Sequence, residues 1–176
     1  MGLSRCAIYL SAASAAEALS IVHKAGLLPS KINSRSAEDQ SCIGREEIGI
    51  IEENGWGLIF ADSASFFRED ALEFLKSASY GRVVFMWLTQ STCGGIWFEL
   101  WKDGKLIRKW IEVEGTVVEN FGPTIPQESE GVFSGTPLNE DLDEWSVIQL
   151  AEAVTGVSVS RIFDEPFTVF FAASDN

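Results

Sequence analysis

GIWFELWKDGKLIRKWIEVE, residues 95–114, decides the fold. Asp103-Gly104 sits between two runs rich in β-branched and aromatic residues. Asp-Gly is a strong signal for a two-residue hairpin loop, because both positions tolerate φ > 0. Gly95–Lys102 and Lys105–Glu114 therefore read as two antiparallel strands. Such a loop pairs Lys102 with Lys105, Leu100 with Ile107 and Trp97 with Trp110. One face then carries Ile96, Phe98, Leu100, Ile107, Lys109 and Ile111. The other carries Trp97, Glu99, Trp101, Leu106, Arg108 and Trp110, with Glu99 opposite Arg108. The first face is core-like. The second mixes three tryptophans with an ion pair, which is unusual for a dry core. Either a helix or loop covers it, or it meets a partner, since interfaces favour Trp and Arg.

The same reasoning works outward. Asn54-Gly55 joins strands over Ile43–Glu53 and Trp56–Ala61. Arg5–Leu10, Arg82–Gln90, Thr116–Phe121 and Phe167–Ala172 read as further strands, the last almost continuously apolar. Ser14-Ala-Ala-Glu17 is a capping box that opens a helix, and Gly26 with Pro29 closes it. Ser65–Tyr80 places Phe67, Ala71, Phe74, Leu75 and Ala78 on one face of a second helix. Thr136-Pro137 suits the start of a third, running to about Thr155 with Leu142, Trp145, Ile148 and Ala151 as its stripe. Lys31–Ser41 and Gly122–Gly135 read as loops. A chain of 176 residues, 46% of them hydrophobic, is expected to form one α+β domain over residues 1–176. The expectation is a twisted, mostly antiparallel sheet with about three helices packed on it.

Charge divides along the chain. Residues 1–109 hold 13 Asp/Glu against 12 Lys/Arg, whereas residues 110–176 hold 13 Asp/Glu and only Arg161. The densest run is Glu140, Asp141, Asp143 and Glu144, in the first turns of the third helix, where the helix dipole favours anions. Asn139-x-Asp141-x-Asp143 imitates the start of a calcium loop. The match fails at Glu144, where the turn needs Gly, and at Leu150, where the bidentate Glu belongs. A directional negative field steers cationic partners and repels nucleic acid and anionic membranes.

The chemistry-bearing patterns are mostly missing. No P-loop, G-x-G-x-x-G or H-E-x-x-H occurs. His23 is the only histidine, so a His-rich metal site is excluded. Cys6, Cys42 and Cys93 include no C-x-x-C, so neither a disulfide framework nor a zinc site is expected. The apolar stretch near Met1 is too short and interrupted for a signal peptide. No run approaches the ~20 apolar residues of a membrane span, and a cytoplasmic location is expected.

These features point to a non-enzymatic protein-binding module that needs no cofactor. Glu140, Asp141, Asp143 and Glu144, with the hairpin residues Trp97, Glu99, Trp101, Arg108 and Trp110, are expected to meet a basic protein. The role that fits is an immunity- or antitoxin-type inhibitor that occludes the cationic active site of a toxin, for instance a nuclease. Two alternatives stay open. One is a small-ligand or enzymatic domain with a pocket between sheet and helices. It would use residues 122–135 as a lid and carboxylate chemistry at Glu99, Glu112 or Glu114. The other is a homodimer built on the tryptophan face.

Overall fold

The computed structural model describes residues 4–28, 31–38, 43–44, 46–62, 70–130, 144–158, 161 and 163–173. The strands are β1 (Ser4–Ser11), β2 (Ile32–Ala37), β3 (Ile48–Glu53), β4 (Trp56–Asp62), β5 (Val83–Gln90), β6 (Gly95–Lys102), β7 (Lys105–Val113), β8 (Thr116–Phe121) and β9 (Phe167–Ala172). The helices are α1 (Ala15–Lys24), α2 (Asp70–Ala78), α3 (Pro126–Glu130) and α4 (Glu144–Thr155). All nine strands join one sheet in the order β2-β9-β3-β4-β1-β5-β6-β7-β8. Every pairing in it is antiparallel.

Helices cover both faces, which explains why the central strands are apolar without alternation. On β1, Cys6, Ile8 and Leu10 point to one face and Ala7 and Tyr9 to the other, yet all five are buried. Ala18 and Val22 of α1, with Phe74, Leu75 and Ala78 of α2, pack on the Ile8 face. Val147, Ile148, Leu150 and Ala151 of α4 pack on the other, against Tyr9, Phe85, Trp87 and Phe98. Trp145, expected in that stripe, is 52% exposed instead.

Turn chemistry sets the hairpins. Asn54-Gly55, Asp103-Gly104 and Glu114-Gly115 all have positive φ at both positions, the signature of type I′ loops. Ser14 caps α1 by accepting from the Glu17 amide at 3.2 Å. The Glu17 carboxylate does not close the box, because it pairs with Arg82.

Four expectations need correction or bounding. Residues 32–37 form β2, not a loop; its sequence INSRSA hides it because it is an edge strand pairing only with β9. The strand expected from Ile43 starts at Ile48. A short helix, α3, lies inside the expected loop at 122–135. Residues 65–69 and 136–143, placed in helices above, lie outside the described residues, as do Cys42, Glu140, Asp141 and Asp143.

The hairpin register also differs. Lys102 pairs with Lys105, but a bulge between Leu100 and Trp101 leaves Ile107 unpaired. Beyond it Leu100 opposes Arg108, Glu99 opposes Lys109 and Phe98 opposes Trp110. One extra residue transfers every later side chain of β7 to the opposite face. Arg108 and Trp110 therefore leave the Trp97–Glu99–Trp101 face and join the α3/α4 side. Gly122 permits this arrangement. Its φ is +81°, and a Cβ there would sit 2.0 Å from the carbonyl oxygen of Ile107.

Candidate functional site

The hairpin carries two ionic clusters, one on each face. On the first, Glu99 is fully buried between two indoles. Trp97 Nε1 donates to Glu99 Oε1 at 3.0 Å and Trp101 Nε1 donates to Oε2 at 2.7 Å. Lys109 Nζ lies 3.6 Å from Glu99 and 2.8 Å from Glu119, and 5.1 Å from the Trp97 ring centroid. Burial raises the Glu99 carboxyl above the usual carboxylate range; the indole donors and Lys109 offset that only in part. Trp97, Glu99 and Trp101 thus meet as the spacing i, i+2, i+4 on one strand face requires. The ion pair is with Lys109, not Arg108.

On the second face Arg108 is just as buried. Its Nε and Nη2 donate to the two oxygens of Glu128 at 2.8 and 2.9 Å. Its Nη1 donates to Asn120 Oδ1 and to the Phe121 and Lys109 carbonyls. The guanidinium lies 5.7 Å from the ring centroids of Phe98 and Trp110. Glu128 also accepts from the Ile125 amide, so this cluster fixes residues 125–128 onto β7. Arg108 and Trp110 are 1% exposed, which corrects their assignment to a partner-facing surface. The Arg108 partner in this role, Glu128, was not singled out from the sequence; Pro126 with Glu128 two residues on was the one available signal of a helix start.

Acidic side chains distribute unevenly between the layers. α1 and α2 mix Glu17, Asp70 and Glu73 with Lys24 and Lys76. The sequences of α3 and α4, on the other face, hold Glu128, Glu130, Glu144 and Glu152 and no Lys or Arg, but Glu128 is buried and paired with Arg108. Arg161, the one strong cation of residues 110–176, is held by Glu53 at 2.9 Å and Glu165 at 3.5 Å. The exposed carboxylates do not make one patch at one strand. Glu114 precedes β8 and Glu119 lies within it at one edge of the sheet, whereas Asp164 and Glu165 precede β9 near the other. Of the four-residue acidic run, Glu144 is the first residue of α4, and Glu140, Asp141 and Asp143 lie outside the described residues.

The sheet's two edges differ. β2 is polar, with Asn33, Ser34 and Ser36 exposed and Arg35 paired with Glu47. The Glu47 carboxyl is also partly buried, but the Arg35 and Gly44 donors lower it below its ordinary value. β8 instead exposes Val118 at 59% and Phe121 at 48%.

For small ligands the described residues offer a groove of about 500 Å³ between α1 and α2, lined by Glu17, Ile21, Lys24, Phe74, Tyr80 and Arg82. It lies on the face away from α3, so residues 126–130 do not cover it. Glu99 and Glu112 point to opposite faces of the hairpin and Glu114 sits in a turn, so these three carboxylates do not converge. Among the described residues no His/Cys/Asp/Glu group is arranged to hold a metal ion, and no helix is long and apolar enough to cross a membrane. No known family model matches the chain, and neither a curated protein nor a solved structure matches it.

Proposed function

We propose that this chain is an acidic protein-binding module that docks a basic protein and blocks it, in the manner of an immunity or antitoxin protein neutralising a toxin. The observation that carries the reading is the segregation of charge. Residues 110–176 hold 13 Asp/Glu against the single Arg161, and the sequence of α4 carries Glu144 and Glu152 with no Lys or Arg, whereas Glu128 of α3 is spent on Arg108. Evenly distributed solubility charge would not segregate this way. A surface of one sign accelerates encounter with the opposite sign and competes with nucleic acid for a cationic cleft. The acidic run Glu140, Asp141, Asp143 and Glu144 belongs to this reading through its charge in the sequence. Glu99 and Trp101 are buried like Arg108 and Trp110 and so do not support a partner-facing role, and the Trp97 indole is spent on Glu99.

The test is a tagged pull-down from the native host, washed at low and then high salt, with mass spectrometry of the eluate. A single basic protein held at low salt and released at high salt is expected. Absence of any stoichiometric partner at either salt overturns the reading. The α1/α2 groove favours a second reading, a small-ligand domain, since its size falls within that of known ligand sites. A thermal-shift screen of metabolites separates the two: a specific ligand raises the melting temperature, whereas a dedicated protein inhibitor ignores the library.

A further inference from the structure

Sites for small molecules are concave, largely apolar, and hold a few polar groups that fix the ligand. The groove between α1 and α2 has this make-up. Ile21 of α1, Ala25 at its C-terminal cap, and Phe74 and Ala78 of α2 supply the apolar surface. Glu17, Lys24, Glu73 and Arg82 supply the charge. At about 500 Å³ the groove can take a compact organic molecule.

These charges are not equally engaged. Glu17 pairs with Nη2 of Arg82, and Glu73 lies 3.9 Å from Lys76. Lys24 has no ion pair among the described residues. Arg82 carries the sharper signal. Its side chain is 17% exposed, and its Nη1 is buried with no hydrogen-bond partner among the described residues. A buried charged donor without an acceptor is costly, and folded proteins nearly always supply one. Tyr80, two residues before Arg82 and also in the groove lining, is 62% exposed, and the Glu17 side chain is 42% exposed. Both side chains have room to rotate aside and let an acceptor reach Nη1.

What is left over sets the chemistry of that acceptor. Two cationic groups, Lys24 and one arm of the Arg82 guanidinium, call for an anion. Glu17 already holds the other arm, and Glu73 lines the same groove. A doubly charged phosphate would meet both carboxylates, whereas a carboxylate brings a single charge.

We infer that the α1/α2 groove binds a small organic monocarboxylate. Its carboxylate accepts from Arg82 Nη1, Lys24 adds a second positive charge, and its apolar body lies over Ile21 and Phe74. The inference rests on the small-ligand reading of this groove and names the ligand class.

An amide NMR titration of the full chain tests it, with 2-naphthylacetate as the probe and 2-naphthylacetamide as its uncharged counterpart. The acid is expected to shift the amides of residues 17–25 and 73–82, with a Kd at least about tenfold below that of the amide. This comparison needs no variant. Arg82→Gln should erase the preference for the acid and leave binding of the amide unchanged. Lys24→Gln, at an exposed position, should weaken the acid alone. Equal binding of both compounds in the groove overturns the carboxylate assignment and leaves the small-ligand reading standing. Acid-induced shifts elsewhere, or a preference retained in Arg82→Gln, also overturn the inference. So does failure of the acid to bind. If, in addition, no metabolite raises the melting temperature, the small-ligand reading falls with it.

Discussion

Arg108 and Glu128 lock the α3 side of the hairpin by a paired, buried interaction with no exposed atom to spare. Arg108→Ala leaves a buried carboxylate without its partner, which costs about 3–5 kcal/mol in urea unfolding. The double change R108M/E128L removes both charges and should recover most of that loss. A single-variant loss below about 1 kcal/mol would contradict the assignment. Glu99 makes the opposite kind of demand, because burial raises its carboxyl. The folded protein then holds the proton more tightly than the unfolded chain. As pH rises from the ordinary carboxylate range towards the raised folded value, the unfolded chain releases its proton first and stability falls. Urea titrations at several pH values should show wild type losing stability relative to Glu99→Gln across that window. A difference that grows in favour of wild type with rising pH would sink the account. That Trp97, Glu99 and Trp101 share a face follows from their spacing alone. That Arg108 and Trp110 do not share it was beyond pattern reading, since one unpaired residue at Ile107 reverses the alternation.

At the level of elements, turn and cap chemistry was readable. Asn54-Gly55 and Asp103-Gly104 are type I′ loops, and Ser14 caps α1. The third loop, Glu114-Gly115, carries a weaker signal because Glu seldom adopts φ near the +51° found here. Glu114→Asn should therefore stabilise the protein by about 0.5 kcal/mol, read as a higher urea midpoint. Gly122→Ala should cost at least about 2 kcal/mol, since a positive φ and contact with Ile107 act together; an unchanged midpoint would refute the close approach. β2 escaped reading for a physical reason. An edge strand with one neighbour buries little, so selection for apolar alternation is weak and its residues look like loop. α4 was visible from Ile148 and Ala151, but Trp145 turns outward and lies tilted against Phe163, with ring centroids 5.3 Å apart.

Over the whole molecule, the mostly antiparallel sheet with helices could be inferred from hairpin signals and helix periodicity. The nine-strand order could not, because β2 and β9 reach their places through long-range pairings that no local pattern encodes. The same holds for charge. Its segregation along the chain is plain in the sequence, but only the fold shows that α3 and α4 share one face while α1 and α2 occupy the other. The central claim is the proposal that the acidic carboxylates of residues 110–176 capture a basic protein. The most direct measurement is a low-salt pull-down from the native host comparing wild type with E140Q/D141N/D143N/E144Q/E152Q, after circular dichroism has established equal folding. Recovery of the basic partner is predicted to fall at least about tenfold in the neutralised chain. Undiminished recovery of every associated protein would contradict the account.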